Sequence, residues 1–492
     1  MPGGTLQLFN YQNNPIDFTM KNPDITFFKS VHKKYTNFSI DCIDVNFNQE
    51  PDLSTVNNNH YICRLDKLGH LLKDTYLVIE LPSIVNSIVI DGVTVGTDVR
   101  LIDDFAINII DSVSVQIGGD IIHEFDSDWI NIYYRRYLTY EKYREVIGMI
   151  NPAKSHVSDL AITNQTLYIW LPFFFSKDPS LGLPLYSLEY HTIYINVHLK
   201  PLSKWMTYVN LDNIRVPVED PRMLVYNDER FRFFMRVNSV FFDESERNKI
   251  QMTRQEHLIQ QIHTITSNQI NEKKIRIDNY LKRPLKEFFI IGYREDNKDR
   301  NTFGNYTNFE NNINYSGGLN QPPSGVFSDY HTQNYIDQIY EQKALEFRPE
   351  IIDQIQLYLD DKPRFHVLKS NYLRLVQDYQ YDLNFQEMDN YIYHYSFSSD
   401  PKEVQPSGSL NLGRVHTSYF DLTLTMTPPT QPIIENLATI RNILKNKTDM
   451  SKNTSIINDS SAYAWKYGIK IYLVTYNILK IFGGMADLMF KK

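Results

Sequence analysis

Apolar and polar residues alternate with a period of two along most of this chain, as they do in strands that bury one face. In DSVSVQIGGDIIHEF (111–125), Val113, Val115 and Ile117 fall on one side and Ser112, Ser114 and Gln116 on the other. Gly118-Gly119 then supplies the positive φ angles of a tight hairpin, so a strand, a turn and a returning strand are predicted. The next segment, DSDWINIYYRRY (126–137), changes to helical spacing. Asp126, Ser127 or Asp128 can cap a helix whose Trp129, Ile132, Tyr133 and Arg136 share a face. The same DSD triplet has the look of an acidic metal-binding pair, but helix capping accounts for it more simply.

The alternation is used twice. Phe175-Ser176-Lys177-Asp178-Pro179 matches Phe397-Ser398-Ser399-Asp400-Pro401, and His191-Thr192-Ile193-Tyr194 matches His416-Thr417-Ser418-Tyr419. Phase agrees as well: Ile193, Ile195, Val197 and Leu199 share one face, as Phe420, Leu422 and Leu424 do. A second echo relates IIDQIQLYLDDKPRFHVLKSNYLRLV (351–376) to residues 111–135, at a separation of roughly 240 residues. The chain reads as one β unit repeated. The halves meet near FFDESERNKIQMTRQEH (241–257), where alternation breaks and a helix start at Asp243 or Ser245 is expected.

Strand parity carries a further expectation for LPFFFSKDP (171–179). Phe173 and Phe175 take the core-facing side, while Phe174 falls with Tyr168 and Trp170 on the other, where the second copy has Ile392, His394 and Ser396. Trp170 and Phe174 are therefore expected in a contact between the two halves or between subunits, or beneath a local loop or helix. Residues 295–349, rich in Asn, Gly and Pro, are too long for a simple connector and are expected to form an exposed surface loop.

Composition agrees with a β-rich chain: aromatics make up 13 %, with 34 Tyr and 28 Phe in 492 residues. A net charge of −8 offers no basic field, so direct nucleic-acid binding is not expected. Two cysteines, Cys42 and Cys63, cannot build a disulfide framework and fit a reducing compartment. The N-terminus lacks the regions of a signal peptide. The most lipid-like segment, YGIKIYLVTYNILKIFGG, is interrupted by Lys470 and Lys480, so a soluble protein is expected. The tail IFGGMADLMF (481–490) is expected to pack under the sheet, a weak membrane-facing role being its alternative. The sequons at Asn37, Asn164, Asn305 and Asn446 carry little weight in so Asn-rich a chain.

Catalytic signatures are missing: no phosphate loop, no His-Glu-x-x-His, no Cys-x-x-Cys and no Gly-x-Ser-x-Gly occur. His123 with Glu124, and His191 with His198, are the nearest approach to metal ligands. Odd spacing places each pair on opposite strand faces, so structural histidines are expected and no metal, cofactor or catalytic residue is assigned.

Several long passages resemble the double jelly-roll major capsid proteins of nucleocytoplasmic large DNA viruses, the group of iridoviruses, phycodnaviruses and giant amoebal viruses. They include NPDITFFKSVHKKYTNF, SVSVQIGGDIIHEFDSDWINIYYR, LPFFFSKDPSLGLPLYSLEYHTIYINV, FFDESERNKIQMTRQEHLIQQI, YIYHYSFSSDPKEVQPSG and YLVTYNILKIFGGMADL, and run nearly end to end. After QPSG the family tends towards a Ser-Arg-Ile-Asp-like run, where this chain has Gly413-Arg414-Val415-His416. The resemblance implies an all-β fold with minor helices, built as two tandem eight-stranded antiparallel jelly rolls. It implies an arm at 1–24, a first roll at 25–242, a linker at 243–256 and a second roll at 257–492. It also implies a non-enzymatic capsid subunit of the virion, assembled in the host cytoplasm, that trimerises into pseudo-hexagonal capsomers of an icosahedral shell. The partners implied are neighbouring capsomers and minor capsid proteins, with possible contact to an inner viral membrane. A divergent paralogue or a transient scaffold of the same fold is the alternative, and a glycan-binding or metal-dependent jelly-roll enzyme a more distant one.

Overall fold

The computed structural model describes residues 38–49, 59–65, 68–81, 87–90, 93–102, 104–150, 165–210, 215–217, 231–298, 301–308, 350–381, 391–428 and 465–490. Twelve strands lie in the first half. They are β1 (Phe38–Val45), β2 (Asn59–Arg64), β3 (Leu71–Leu81), β4 (Ser87–Ile90), β5 (Val93–Leu101), β6 (Ile110–Ile117), β7 (Asp120–Asp126), β8 (Gln165–Trp170), β9 (Ile193–Leu199), β10 (Met206–Asn210), β11 (Arg215–Pro217) and β12 (Arg232–Phe242). Eleven follow: β13 (Gln255–Ile270), β14 (Lys274–Asn279), β15 (Pro284–Arg294), β16 (Ile352–Leu359), β17 (Lys362–Pro363), β18 (Leu368–Lys369), β19 (Ile392–Ser396), β20 (Leu410–Asn411), β21 (Ser418–Leu424), β22 (Tyr467–Phe482) and β23 (Met485–Leu488).

Both halves are jelly rolls with the same strand order. In the first, the sheets run β1-β12-β3-β8 and β2-β9-β6-β7; in the second, β13-β22-β15-β19 and β14-β21-β16-β17. Each roll thus pairs its first strand with its last long one, and β2 pairs with β9 as β14 does with β21. The antiparallel sheet β11-β10-β5-β4 belongs to the first half alone. Strands β6 and β16 begin and end at a constant shift of 242 residues (110 to 352, 117 to 359). The hairpin that follows β6 turns at Gly118 and Gly119 with φ of 59° and 103°, and its counterpart turns at Asp360 and Asp361 with φ of 49° and 59°. A Cβ at Gly118 would lie 2.5 Å from the His191 ring, so glycine is needed there for space as well as for conformation.

Helix α1 (Ser127–Arg136) follows β7, and α2 (Tyr140–Ile150) follows it. A short turn, α3 (Phe174–Lys177), comes after β8, and α4 (Glu244–Met252) joins the two rolls. The second-roll counterpart of α1 starts as a π-helical turn, Tyr372–Val376, and continues as α5 (Gln377–Gln380).

Two strands of the second roll are buried on both faces. On β15, Phe288 and Ile290 face that roll's own core, while Phe289 and Ile291 join the core of the first roll. On β22, Ile471 and Leu473 face inward, and Tyr472 and Val474 join the first roll. The lipid-like appearance of YGIKIYLVTYNILKIF has this cause: a central strand with no solvent face reads as a nearly continuous apolar run. Among the described residues, no helix is long and apolar enough to cross a membrane.

Candidate functional site

The seam between the rolls is organised by α1. Asp126 caps it, accepting from the Trp129 amide at 3.0 Å, and the hairpin β6–β7 delivers it onto the outer face of the sheet containing β15 and β22. Nearly every residue of the helix is buried, as expected of one enclosed between two cores. The Trp129 ring, fully buried, lies 5.6 Å from both Phe289 and Tyr472. Trp129 thus carries an aromatic contact across the seam.

Charged groups frame that contact. At the start of α1, Lys470 donates to Asp126 at 2.7 Å and Asp128 at 2.5 Å. The Tyr472 hydroxyl donates to Asp126 and that of Tyr306 to Asp128, each at 2.9 Å. Burial would raise the Asp128 carboxyl, but the Lys470 ammonium, together with Lys200 and the Tyr306 hydroxyl, holds it below its ordinary value. At the far end, Tyr137 donates to Glu287 at 2.5 Å, and His394 and Lys286 lie 3.0 and 3.2 Å from the same carboxylate. Burial opposes the charge on Glu287, yet Lys286, His394 and Tyr137 together bring its pKa down to about 2. Arg136 is ion-paired with Asp378 and also donates to the Ile392 carbonyl at 3.1 Å. Burial pushes Asp378 up and Arg136 down despite their mutual attraction, so desolvation outweighs pairing here.

The segment at 295–308 contradicts the expectation of an exposed loop over 295–349. Its Asn297, Asn301, Asn305, Thr307 and Asn308 are buried. Asn301 donates to the Ser203 carbonyl at 2.8 Å, and Lys204 donates to the Lys298 carbonyl at 2.6 Å. Lys200 lies 4.0 Å above the Phe303 ring, so this segment straps the second roll to the first. Asn side chains bury well where they satisfy backbone groups: Asn305 accepts from the Thr307 amide at 3.0 Å. The sequon at Asn305 is therefore enclosed. Residues 309–349 and the arm at 1–24 lie outside the described residues.

The triple phenylalanine also departs from its expected parity. Strand β8 ends at Trp170, and α3 begins at Phe174, so all three rings turn inward and none is exposed. Trp170 lies beneath α1, with Tyr133 at 5.8 Å and Tyr134 at 6.3 Å, so a local helix covers it within the chain. Phe174 meets Phe175 and His123 within the chain, and Lys177 of the same turn reaches Gln260 of β13 at 3.5 Å. Burial, then Lys286, lowers the Lys177 pKa to about 7.

His123 is buried and Glu124 exposed on opposite faces of β7. His191 accepts from the Ala486 amide at 3.2 Å, whereas His198 stacks on His60 across β2 and β9 at 4.1 Å. Among the described residues no group of three or more His, Cys, Asp or Glu could hold a metal. The tail is a strand: Gly483 and Gly484 turn β22 back into β23. Lys286, Glu287, His394 and Asp378 escaped the sequence reading. The unbroken apolar run Phe288–Ile291 was the available signal, since a strand buried on both faces needs a partner outside its own roll.

Two jelly rolls joined through a helix, ion pairs and a strap define a double jelly-roll protein. Residues 26–243 match the model described as "Major capsid protein N-terminus", and residues 246–487 match "Large eukaryotic DNA virus major capsid protein". The chain is 25 % identical to the major capsid protein of Phaeocystis pouchetii virus and 26 % identical to that of Paramecium bursaria Chlorella virus 1, each with both chains fully covered. Among solved structures, the PBCV-1 virus capsid model aligns with a TM-score of 0.64 at 20 % identity, covering 95 % of this chain and 100 % of the other. The Faustovirus major capsid protein aligns at 0.61 and 11 %, covering 98 % and 97 %. The chain belongs to the major capsid protein family of large eukaryotic DNA viruses, and its role is structural and capsid-forming.

Proposed function

We propose that three copies of this chain close into a pseudo-hexagonal capsomer, and that the capsomers pave an icosahedral outer shell without any catalytic activity. One observation carries this reading. By the shift of 242 residues, Phe125, Tyr134 and Tyr137 of the first roll correspond to Val367, Val376 and Tyr379 of the second. Phe125 and Tyr134 are buried and Tyr137 half-buried at or beside the seam, and the last three are exposed, Tyr379 at 83 %. The second roll thus repeats the docking element and leaves it open. The outward face of the β1-β12-β3-β8 sheet carries half-buried Tyr76, Tyr168 and Phe234, with the Arg236 guanidinium 5.6 Å from the last two rings. That face is the receiver for the second roll of another copy, and three such contacts close a ring.

In this reading the arm is 1–24, the first roll 25–242, the linker 243–256 and the second roll 257–492. The capsomer assembles in the host cytoplasm, enters the virion, and contacts neighbouring capsomers, minor capsid proteins and the inner membrane. Sedimentation of the purified chain tests it. The wild type is expected to run as a trimer and the double variant Val376→Ser, Tyr379→Ser as a folded monomer. A wild-type monomer at high concentration, or a double variant that stays trimeric, overturns the reading.

A further inference from the structure

His123 lies on β7 beside the seam, where Gln261 of β13 donates to the carbonyl of the neighbouring Ile122 at 2.5 Å. Its ring is 2 % exposed and neither ring nitrogen has a hydrogen-bond partner. Phe125, Phe173 and Phe174 surround it with ring centroids at 5.3, 6.0 and 6.2 Å, each steeply inclined to the imidazole. Beyond these rings, the charged and titratable groups that act on it are Lys177 from α3 and His263 from β13. Arg283, immediately before β15, stands behind His263 at 3.2 Å, and Lys286 acts on Lys177 in turn. Directly opposite on β6 is Val115, which has no charge, and Glu124 points to the other face of β7. Among the described residues, the groups acting on the ring include no carboxylate that could compensate a proton.

We propose that His123 is a proton-sensitive latch on the seam, neutral while β7 lies against the second roll and charged only when the two separate, so that mild acid loosens the molecule there. Opening frees the imidazole to water, where it takes a proton near pH 6.5, as an ordinary histidine does. In the closed state burial, then the charges of Lys177 and His263, hold its pKa well below that value. The sign follows from linkage. Below pH 6.5 the open state binds one more proton than the closed one, so the closed state loses up to tenfold in population for each further pH unit. At Phe365, the position 242 residues on, the second roll has an aromatic side chain of similar size that cannot titrate.

The inference does not rest on trimerisation, because the latch lies within one chain. The variant His123→Phe copies the second roll's solution. Denaturant midpoints measured from pH 7.0 to 5.5 are expected to fall for the wild type with a slope one proton per chain steeper than for the variant. Equal slopes overturn the proposal. Hydrogen exchange on the wild type, corrected for intrinsic rates, provides a reading that does not need the variant to fold. Segments 120–126 and 255–263 are expected to lose up to tenfold in protection per pH unit below 6.5, and unchanged protection there also overturns it.

Discussion

The two rolls share one strand order and differ in how they close. The second keeps a core of its own residues, whereas the first opens into a cluster that takes in Ile259, Phe289, Ile291, Tyr472 and Val474 from its neighbour. The same contrast appears residue by residue: Tyr137 is packed 6.1 Å from Phe289 and bonded to Glu287, and its counterpart Tyr379 stands in solvent. Duplication supplies two copies of a docking element, but a single chain can satisfy only one.

The sharpest way to break this contrast is to strip the shared helix position of its charge on one side. Asp378→Ala leaves Arg136 buried without its carboxylate and is expected to cost about 3–5 kcal/mol in chemical denaturation. Acid should act next. Glu287 has a folded pKa of about 2 against an ordinary 4.5, so the stability it contributes is complete above pH 4.5 and is lost as pH falls towards 2. Denaturation midpoints across that window should record a loss of up to about 3 kcal/mol, and Glu287→Gln should flatten the profile. The smallest effect separates the counterparts directly. Tyr137→Phe removes a hydrogen bond to a buried carboxylate and should cost about 1.5–3 kcal/mol, while Tyr379→Phe should stay within about 0.5 kcal/mol for the isolated chain.

Much of the architecture is written locally and could be read in advance. The alternation of Val113, Val115 and Ile117, the Gly118-Gly119 turn and the Asp126 cap each depend on neighbours within a few residues. The repeat was legible because both copies preserve strand phase. The seam was not, since its contacts join residues far apart in sequence: Tyr137 and Glu287 are 150 residues apart, Lys470 and Asp128 are 342. A lysine in an apolar strand looks like a break in burial until its acids are located, as Lys470 shows. Parity failed for Phe174 because strand β8 ends four residues earlier, at Trp170, and a helical turn begins at Phe174 itself, where period-two reasoning has no meaning. The Asn-rich start of the 295–349 segment misled for a different reason: polar composition marks exposure only when the polar groups lack internal partners.

Arg136 and Asp378 occupy one and the same site in the repeated unit, 242 residues apart, and they touch. Two first halves brought together there would confront cation with cation, and two second halves acid with acid. Two identical units would lack this polarity, which here comes from the difference between the two residues at this site. The fused chain thereby has a head and a tail, encoded in a pair of side chains that no solvent reaches.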